Sequence, residues 1–164
     1  MEGNRETKTK TETKTKTVIV FYSKHHRNTQ LLVDAIKKRA PEVELMNIND
    51  MSMVYLSNYD RIGIASGIYF SKFAKPLMEY LRLHLPEGKK VFALYTCGSM
   101  NDRYTKEVKE LAAERHCEYL GEYSCPGYDT FGPFKLLGGV QKGHPSISEI
   151  QGAVDFYFSL DKKR

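Results

Sequence analysis

The residues best able to do chemistry fall in three short stretches: Tyr22-Ser-Lys-His-His-Arg-Asn-Thr29, Ser66-Gly-Ile-Tyr-Phe-Ser71 and Thr96-Cys-Gly-Ser-Met-Asn-Asp102. The first carries the small polar side chains of Ser23, Asn28 and Thr29 at the predicted start of a helix. Free backbone amides there, with the positive end of the helix dipole, make an anion site. Lys24, His25, His26 and Arg27 make the turn basic. It lacks the Gly-Lys-Ser/Thr ending of a Walker loop and the glycines of a dinucleotide fingerprint. An ordinary capped helix with a basic entry turn has the same composition.

The second stretch follows an apolar run. Gly67 permits a close backbone approach, and Ser66, Ile68, Tyr69 and Phe70 surround it. Tyr69 and Phe70 are large apolar rings where the chain should be exposed, so they either cover a planar ligand or pack under the next helix. In the third stretch the amides of Gly98 and Ser99, beside Thr96 and Cys97, are candidate donors. Asn101 or Asp102 is the expected cap of the following helix. Cys97 and Arg103 also stand at the spacing of a tyrosine-phosphatase loop, in which a thiolate attacks phosphate held by amides and the arginine. Met100 and Tyr104 occupy the places where such loops carry glycine and a hydroxyl residue, and no general-acid aspartate loop is evident.

Five short apolar runs must position these stretches: Val18–Tyr22, Val43–Ile48, Arg61–Ala65, Lys90–Thr96 and Tyr119–Ser124. Amphipathic segments lie between them. Leu31, Leu32, Ala35 and Ile36 form one apolar face. Phe73, Leu77, Met78 and Leu81 form a second, with Pro76 acceptable in a first turn. Val108, Leu111 and Ala112 form a third. Ile147, Ile150, Val154 and Phe158 form a fourth, opened by Ser146-x-x-Glu149 at capping-box spacing. Met46 to Asp60 has no helical period, which predicts a single turn or an irregular link. The alternation predicts an α/β fold: a doubly wound parallel sheet of five strands with helices on both faces. Ligands of such sheets sit beyond the carboxyl ends of the strands, where all three stretches lie.

The segment from Cys125 to Pro145 has no sustained pattern and exceeds an ordinary connection. Tyr128, Phe131, Phe134, Leu136 and Leu137 give it apolar area, and its glycines set turns. It reads as a lid or substrate wall, or as a structural loop.

At 164 residues, with 41% hydrophobic and 27% charged side chains, the chain has the material for one globular domain. Residues 1–16 read as a flexible basic Thr/Lys tail, and 17–161 as one domain. The tail's period of two has no apolar face to fix a register. The opening residues hold no apolar segment of a secretory signal, and no run is long enough to span a membrane. Three cysteines make an odd count without metal-ligand spacing, which fits a reducing cytoplasm. The net charge of +5 comes partly from the tail, without interleaved aromatic residues, so nucleic acid is not an expected partner.

The stretch Tyr22–Thr29 resembles the phosphate-binding loop of flavodoxins, and Ser66–Phe70 with Pro76-Leu-Met-Glu-Tyr80 resembles flavodoxin-fold quinone and porphyrinogen oxidoreductases. Gly-Tyr-Asp-Thr with Lys-Gly-His-Pro145 resembles a bacterial and archaeal flavodoxin-like branch. The resemblance covers roughly Val18 to Leu160. It implies the strand order 2-1-3-4-5 and FMN as cofactor. The phosphate would lie among Ser23, Lys24, His25, Arg27, Asn28 and Thr29. The flavin ring would lie between Ser66, Gly67, Ile68, Tyr69 and Phe70 on one side and Thr96, Cys97, Gly98 and Ser99 on the other. No metal and no catalytic side chain is implied.

Carrier flavodoxins are usually acidic, whereas the loops here hold Lys24, Arg27, Lys72, Lys75, Lys135 and Lys142 against few acids besides Asp102 and Asp129. A unit charge ~6 Å from the ring is worth up to about 3 kcal/mol at an effective dielectric near 20. That is on the order of 100 mV for one electron, less where water screens it. Positive surroundings favour a reduced, anionic flavin. Three readings stand: an FMN oxidoreductase with a nicotinamide donor and a quinone-like small-molecule acceptor; an electron carrier docking on a partner reductase and a protein acceptor; and a phosphate-ester hydrolase using Cys97 and Arg103.

Overall fold

The structure is a computed structural model, and it describes residues 14–24, 27–50, 54–128, 138–139 and 141–162. In chain order the elements are β1 (Thr17–Tyr22), α1 (Asn28–Arg39), β2 (Glu44–Asn47), a 3-10 turn (Leu56–Asn58), β3 (Arg61–Tyr69), β4 (Lys72–Phe73), α2 (Lys75–His84), β5 (Lys90–Cys97), α3 (Lys106–Glu114), β6 (Glu118–Pro126) and α4 (Ile147–Ser159). Five strands run parallel in the order β2-β1-β3-β5-β6, and β4 pairs antiparallel with β3. With the two-residue β4 set aside, this is the expected order 2-1-3-4-5. Among its described residues the link from β2 to β3 holds the short 3-10 turn and no longer helix, in keeping with its missing period.

Both faces of the sheet are covered, so alternate residues of one strand enter different cores. Val18 and Val20 of β1 join Ile62, Ile64, Leu77, Leu81 and Val108 under α2 and α3. Ile19 and Phe21 join Leu32, Ile36, Phe92, Leu94 and Val154 under α1 and α4. Phe92 needs Gly63 beside it. A Cβ at position 63 would fall 2.5 Å from Phe92 Cζ and 3.0 Å from Ile19 Cγ1.

Two helical faces differ from the expected ones. In α1, Leu31 is exposed, and Thr29 and Val33 are buried with Leu32 and Ile36. In α4, Ile147 and Phe158 face outward, and Ala153, Val154 and Tyr157 are buried. In each case reading by apolar type misses small or amphipathic residues that face the sheet, because a helix buries whatever its phase places inward. Phe73 packs in the core as expected, but from β4 rather than from α2. The capping box of α4 forms: Glu149 N–H donates to Ser146 Oγ, and Ser146 N–H donates to Glu149 Oε2 at 2.6 Å.

Residues 1–13 of the Thr/Lys tail lie outside the described residues. Residues 14–16 are held: Lys16 N–H donates to Asp60 Oδ2 at 2.8 Å, and Lys14 pairs with Glu42 at 3.0 Å. No helix among the described residues is long and apolar enough to cross a membrane.

Candidate functional site

The chain leaves β1 toward one side of the sheet for β2 and returns to the other side for β3. The carboxyl ends of β1 and β3 therefore flank the switch point of the sheet, where an open α/β sheet forms a crevice. The register sets the walls. Tyr22 of β1 lies level with Ser66 of β3, Gly67 with Thr96 of β5, and Cys97 with Pro126 of β6.

A crevice opens at this point. Ser23, Asn28 and Thr29 line one side of it, Gly67, Ile68 and Tyr69 another, and Thr96, Cys97 and Gly98 a third; Gly127 and Tyr128 complete the wall. Its interior room is about 30 Å³, enough for one or two waters. Nine of the expected site residues thus come together. Gly127 and Tyr128 are not among the expected ones, although Gly127 follows directly on the strand end at Pro126. Both belong to the Cys125–Pro145 segment read as a lid, a substrate wall or a structural loop, and its first residues form part of the crevice wall.

The first wall is built around the start of α1. Arg27 takes φ 54 at the N-cap position and makes no capping bond from its side chain. That left-handed conformation costs a non-glycine residue about 1–2 kcal/mol. The first backbone bond of the helix runs from Leu31 N–H to Arg27 O, which leaves the amides of the first turn facing out of the helix end. The side chains behave otherwise than expected. Asn28 Nδ2 donates to Tyr128 O at 2.7 Å, and Thr29 Oγ1 sits 3.4 Å from Thr96 Oγ1, buried. Both side chains tie α1 to its neighbours, and the backbone amides remain as the candidate anion donors. Lys24 and Arg27 are exposed beside the crevice, not within its lining, and His25 lies outside the described residues.

The second wall corrects the expected loop. Residues 66–69 extend β3, and the reversal is a two-residue turn at Phe70 and Ser71 that leads into β4. Both turn residues take positive φ, 49 and 63. Hairpins of this length usually fill such places with Asn-Gly, and a bulky residue there is an outlier. Ser66 is fully buried; its hydroxyl donates to Gly67 O at 2.6 Å and accepts from Ala74 N–H at 3.0 Å. It joins β3 to the start of α2 and does not line the crevice. Tyr69 crosses Gly67, with its hydroxyl 3.3 Å from where a Cβ would stand, and meets Tyr22 edge-on at 6.0 Å. Phe70 is 85% exposed and lies outside the crevice.

The third wall ends β5. Cys97 is buried, its Sγ 3.9 Å from Cys125 O and 3.4 Å from Met100 Sδ. Burial pushes its thiol up to about 11. A phosphatase nucleophile needs the opposite shift. Ser99 lies outside the lining and sits 3.4 Å from Tyr104 Oη. Neither Asn101 nor Asp102 caps α3. The helix begins at Lys106 after Thr105, and Asn101 Oδ1 instead accepts from Arg103 N–H at 2.9 Å. The described part of the long segment reaches this wall: Gln141 Nε2 donates to Gly98 O at 3.2 Å, and Tyr128 N–H donates to His144 O at 3.0 Å. Residues 129–137 and 140 lie outside the described residues, with Lys135 and the rings of Phe131 and Phe134 among them. Among the described residues no group of three or more His, Cys, Asp or Glu is placed to hold a metal.

Residues 19–123 match the family model described as a flavodoxin domain. The chain belongs to that family. This flavodoxin-domain chain is 36% identical over 147 residues to an uncharacterized protein of Methanocaldococcus jannaschii, covering 88% of this chain and 97% of that one. Its fold is similar to that of oxidised Flavodoxin 1 from Bacillus cereus, with a TM-score of 0.66 at 17% identity over 90% and 98% of the two chains. It is also similar to a Fusobacterium nucleatum flavodoxin bound to flavin mononucleotide, with a TM-score of 0.64 at 13% identity over 90% and 98%.

The donor set fits the phosphate end of FMN. Among the described residues the N-cap side chain of Arg27 leaves the first-turn amides of α1 uncapped, Ser23 lines the crevice with Asn28 and Thr29, and Lys24 and Arg27 add positive charge. The small interior suits a group held at the mouth of the crevice rather than inside it.

Proposed function

We propose that this chain binds FMN at the carboxyl edge of its sheet and works in electron transfer or as an FMN-dependent oxidoreductase. The observation that carries the reading is the start of α1, whose N-cap residue Arg27 gives no side-chain cap, opening at the switch point between β1 and β3. It is supported by membership of the flavodoxin-domain family and by the similar fold of the Fusobacterium nucleatum flavodoxin, a protein bound to flavin mononucleotide.

When bound, FMN supplies the redox chemistry. The residues of the chain do the holding and shielding. The amides at Asn28, Thr29 and Gln30 with Ser23 would hold the phosphate, and Lys24 and Arg27 would balance its charge. His25 belongs to the same proposed turn. Gly67, Ile68 and Tyr69 would line one side of the ring. Thr96, Cys97 and Gly98 would line the other, with Ser99 and Phe70 at its exposed rim. Gln141, which donates to Gly98 O, would stand at the edge of the ring.

The donor is a nicotinamide or a partner reductase, and the acceptor a quinone-like molecule or a protein. Titrating the purified protein with FMN and following flavin fluorescence and visible absorption tests the cofactor. Uptake of one FMN per chain that survives desalting is expected. An unchanged spectrum of free flavin would overturn the reading. Anaerobic mixing of the loaded protein with NADH then separates the two roles. Rapid bleaching without a partner marks the oxidoreductase, and bleaching only with an added reductase marks the carrier.

A further inference from the structure

The two walls flanking the crevice end alike. At the β3–β4 turn, Phe70 is 85% exposed and Lys72 follows two residues on. At the end of β5, Met100 is 58% exposed and Arg103 follows three residues on. Each rim therefore presents one large apolar side chain with a cation beside it. Exposed aromatic, methionine and arginine side chains of this kind are the ones enriched in the cores of protein interfaces. Phe70 stands on a turn whose two residues both take positive φ, which fixes the backbone at this rim.

A basic hollow of about 320 Å³ joins the two rims, lined by Ser71 and Lys72 from one and by Arg103, Tyr104 and Lys106 from the other. Its acids are committed: Glu107 pairs with Arg82, and Glu110 with Lys106 at 3.8 Å. Lys75, next along, pairs with Glu79 at 3.6 Å. Lys72 and Arg103 make no ion pair among the described residues. Asp102 is the one acid on the 98–103 loop itself. Two cations without carboxylates, placed beside two exposed apolar anchors, complement an acidic surface with an apolar centre. A second copy of this chain would bring the same positive charge and is repelled.

We propose that the surface formed by Phe70, Lys72, Met100 and Arg103 is the docking face for an acidic redox protein, which it brings against the rim of the crevice. The proposal rests on the electron-transfer reading above, and it sets a polarity opposite to that of an acidic carrier meeting a basic reductase.

The test is a titration of the full-length, nitrogen-15-labelled protein with an acidic [2Fe–2S] ferredoxin at low and moderate salt, read by amide shifts, with basic cytochrome c as the opposite-charge probe. Amide shifts at 68–73 and 98–106 are expected with ferredoxin and not with cytochrome c. Raising salt from 20 to 200 mM should weaken binding roughly tenfold or more. The K72E/R103E variant, its fold checked by the dispersion of the same spectra, should weaken binding by at least about tenfold. The K38E/R39E variant, which reverses equal charge at the far end of α1, should change it less than about twofold.

Absence of binding, equal loss in both variants, preference for cytochrome c, or shifts confined to the N-terminal Thr/Lys segment would each overturn the proposal. FMN uptake is measured on the unmodified protein in parallel. Ferredoxin docking on this face without FMN uptake would sink the cofactor reading alone. FMN uptake without docking would sink the docking face alone.

Discussion

Asn28 Nδ2 donates to the carbonyl of Tyr128 across 100 residues of sequence, 2.7 Å away. The bond ties the first residue of α1 to the exit of β6, and so closes the crevice over the ends of the strands. Gly127 makes the approach possible: a Cβ there would lie 2.8 Å from Asn28 Nδ2 and 3.0 Å from Thr96 Cβ. A side chain at 127 and the amide at 28 compete for the same space.

A coupled pair of substitutions tests this relationship. Asn28→Ala removes a part-buried bond and should cost about 1 kcal/mol in urea unfolding. Gly127→Ala should cost about 1–3 kcal/mol by overpacking against Asn28 and Thr96. In the double variant the added methyl finds part of the vacated space, so the loss should be smaller than the sum by more than about 0.5 kcal/mol. Additive losses would mean that Thr96, not Asn28, sets the limit. FMN affinity should fall with Gly127→Ala, since the wall it distorts is the one nearest the start of α1.

How much of the molecule is legible in its sequence follows from what each signal measures. The strand runs and their order come through because β-branched and apolar clusters mark strands buried on both faces. Asn28 and Thr29 are found by type and place, but their use is not. A polar residue at a helix start reads as a ligand donor, and nothing local shows that its partner lies just past β6 or on β5. Ser66 misleads for the same reason, its hydroxyl being spent on Ala74 N–H eight residues on. The β3–β4 hairpin is invisible because its turn, Phe70-Ser71, lacks the glycine or asparagine that announces positive φ.

A second stability prediction concerns α4. Replacing a helical glycine by alanine ordinarily gains about 1 kcal/mol. At Gly152 the added Cβ would fall 2.4 Å from Tyr123 Oη, which donates to Glu149 O at 2.7 Å. Gly152→Ala should therefore destabilise the protein, by about 1–2 kcal/mol. Tyr123→Phe removes the colliding hydroxyl, so Gly152→Ala should cost less in that background. Thermal melts of the four proteins check the cycle, and an equal cost in both backgrounds would place the clash on the ring rather than on the hydroxyl.

Acid should loosen the same helix. Burial tends to raise the Glu149 carboxyl, but Ser146 N–H, His144 and the Ser146 hydroxyl outweigh it and hold it below the ordinary glutamate range. His144 Nδ1 lies 2.8 Å from Glu149 Oε2. A carboxyl lowered by folding adds stability that is present above its unfolded value and is lost as pH falls through its folded one. Glu149→Gln should thus be less stable than the parent at pH 7. The gap should narrow steadily as pH falls below the ordinary glutamate value. Chemical denaturation at a series of pH values from 7 to 3 reads the gap, and a constant difference would show that the cap works without its charge.

The cysteines separate redox chemistry from hydrolysis. Burial pushes Cys97 up to about 11 and Cys125 up to about 12, the latter with help from the Glu149 and Cys97 charges. Cys117 is half-buried and is also raised by burial, so none of the three is a ready nucleophile. At pH 8 a thiol at 11 is about one part in a thousand thiolate. Iodoacetamide should therefore modify the folded protein far more slowly than free cysteine, with Cys117 first, as read by mass spectrometry. Arg103 lies beyond the end of β5 with its backbone N–H held by Asn101, away from the lining around Cys97. Hydrolysis of p-nitrophenyl phosphate should stay at background, and Cys97→Ser should leave it there. Rapid alkylation at Cys97 together with turnover lost on Cys97→Ser would reverse the assignment. The carboxyl edge of the sheet would then be a phosphate-cleaving site rather than a phosphate-holding one.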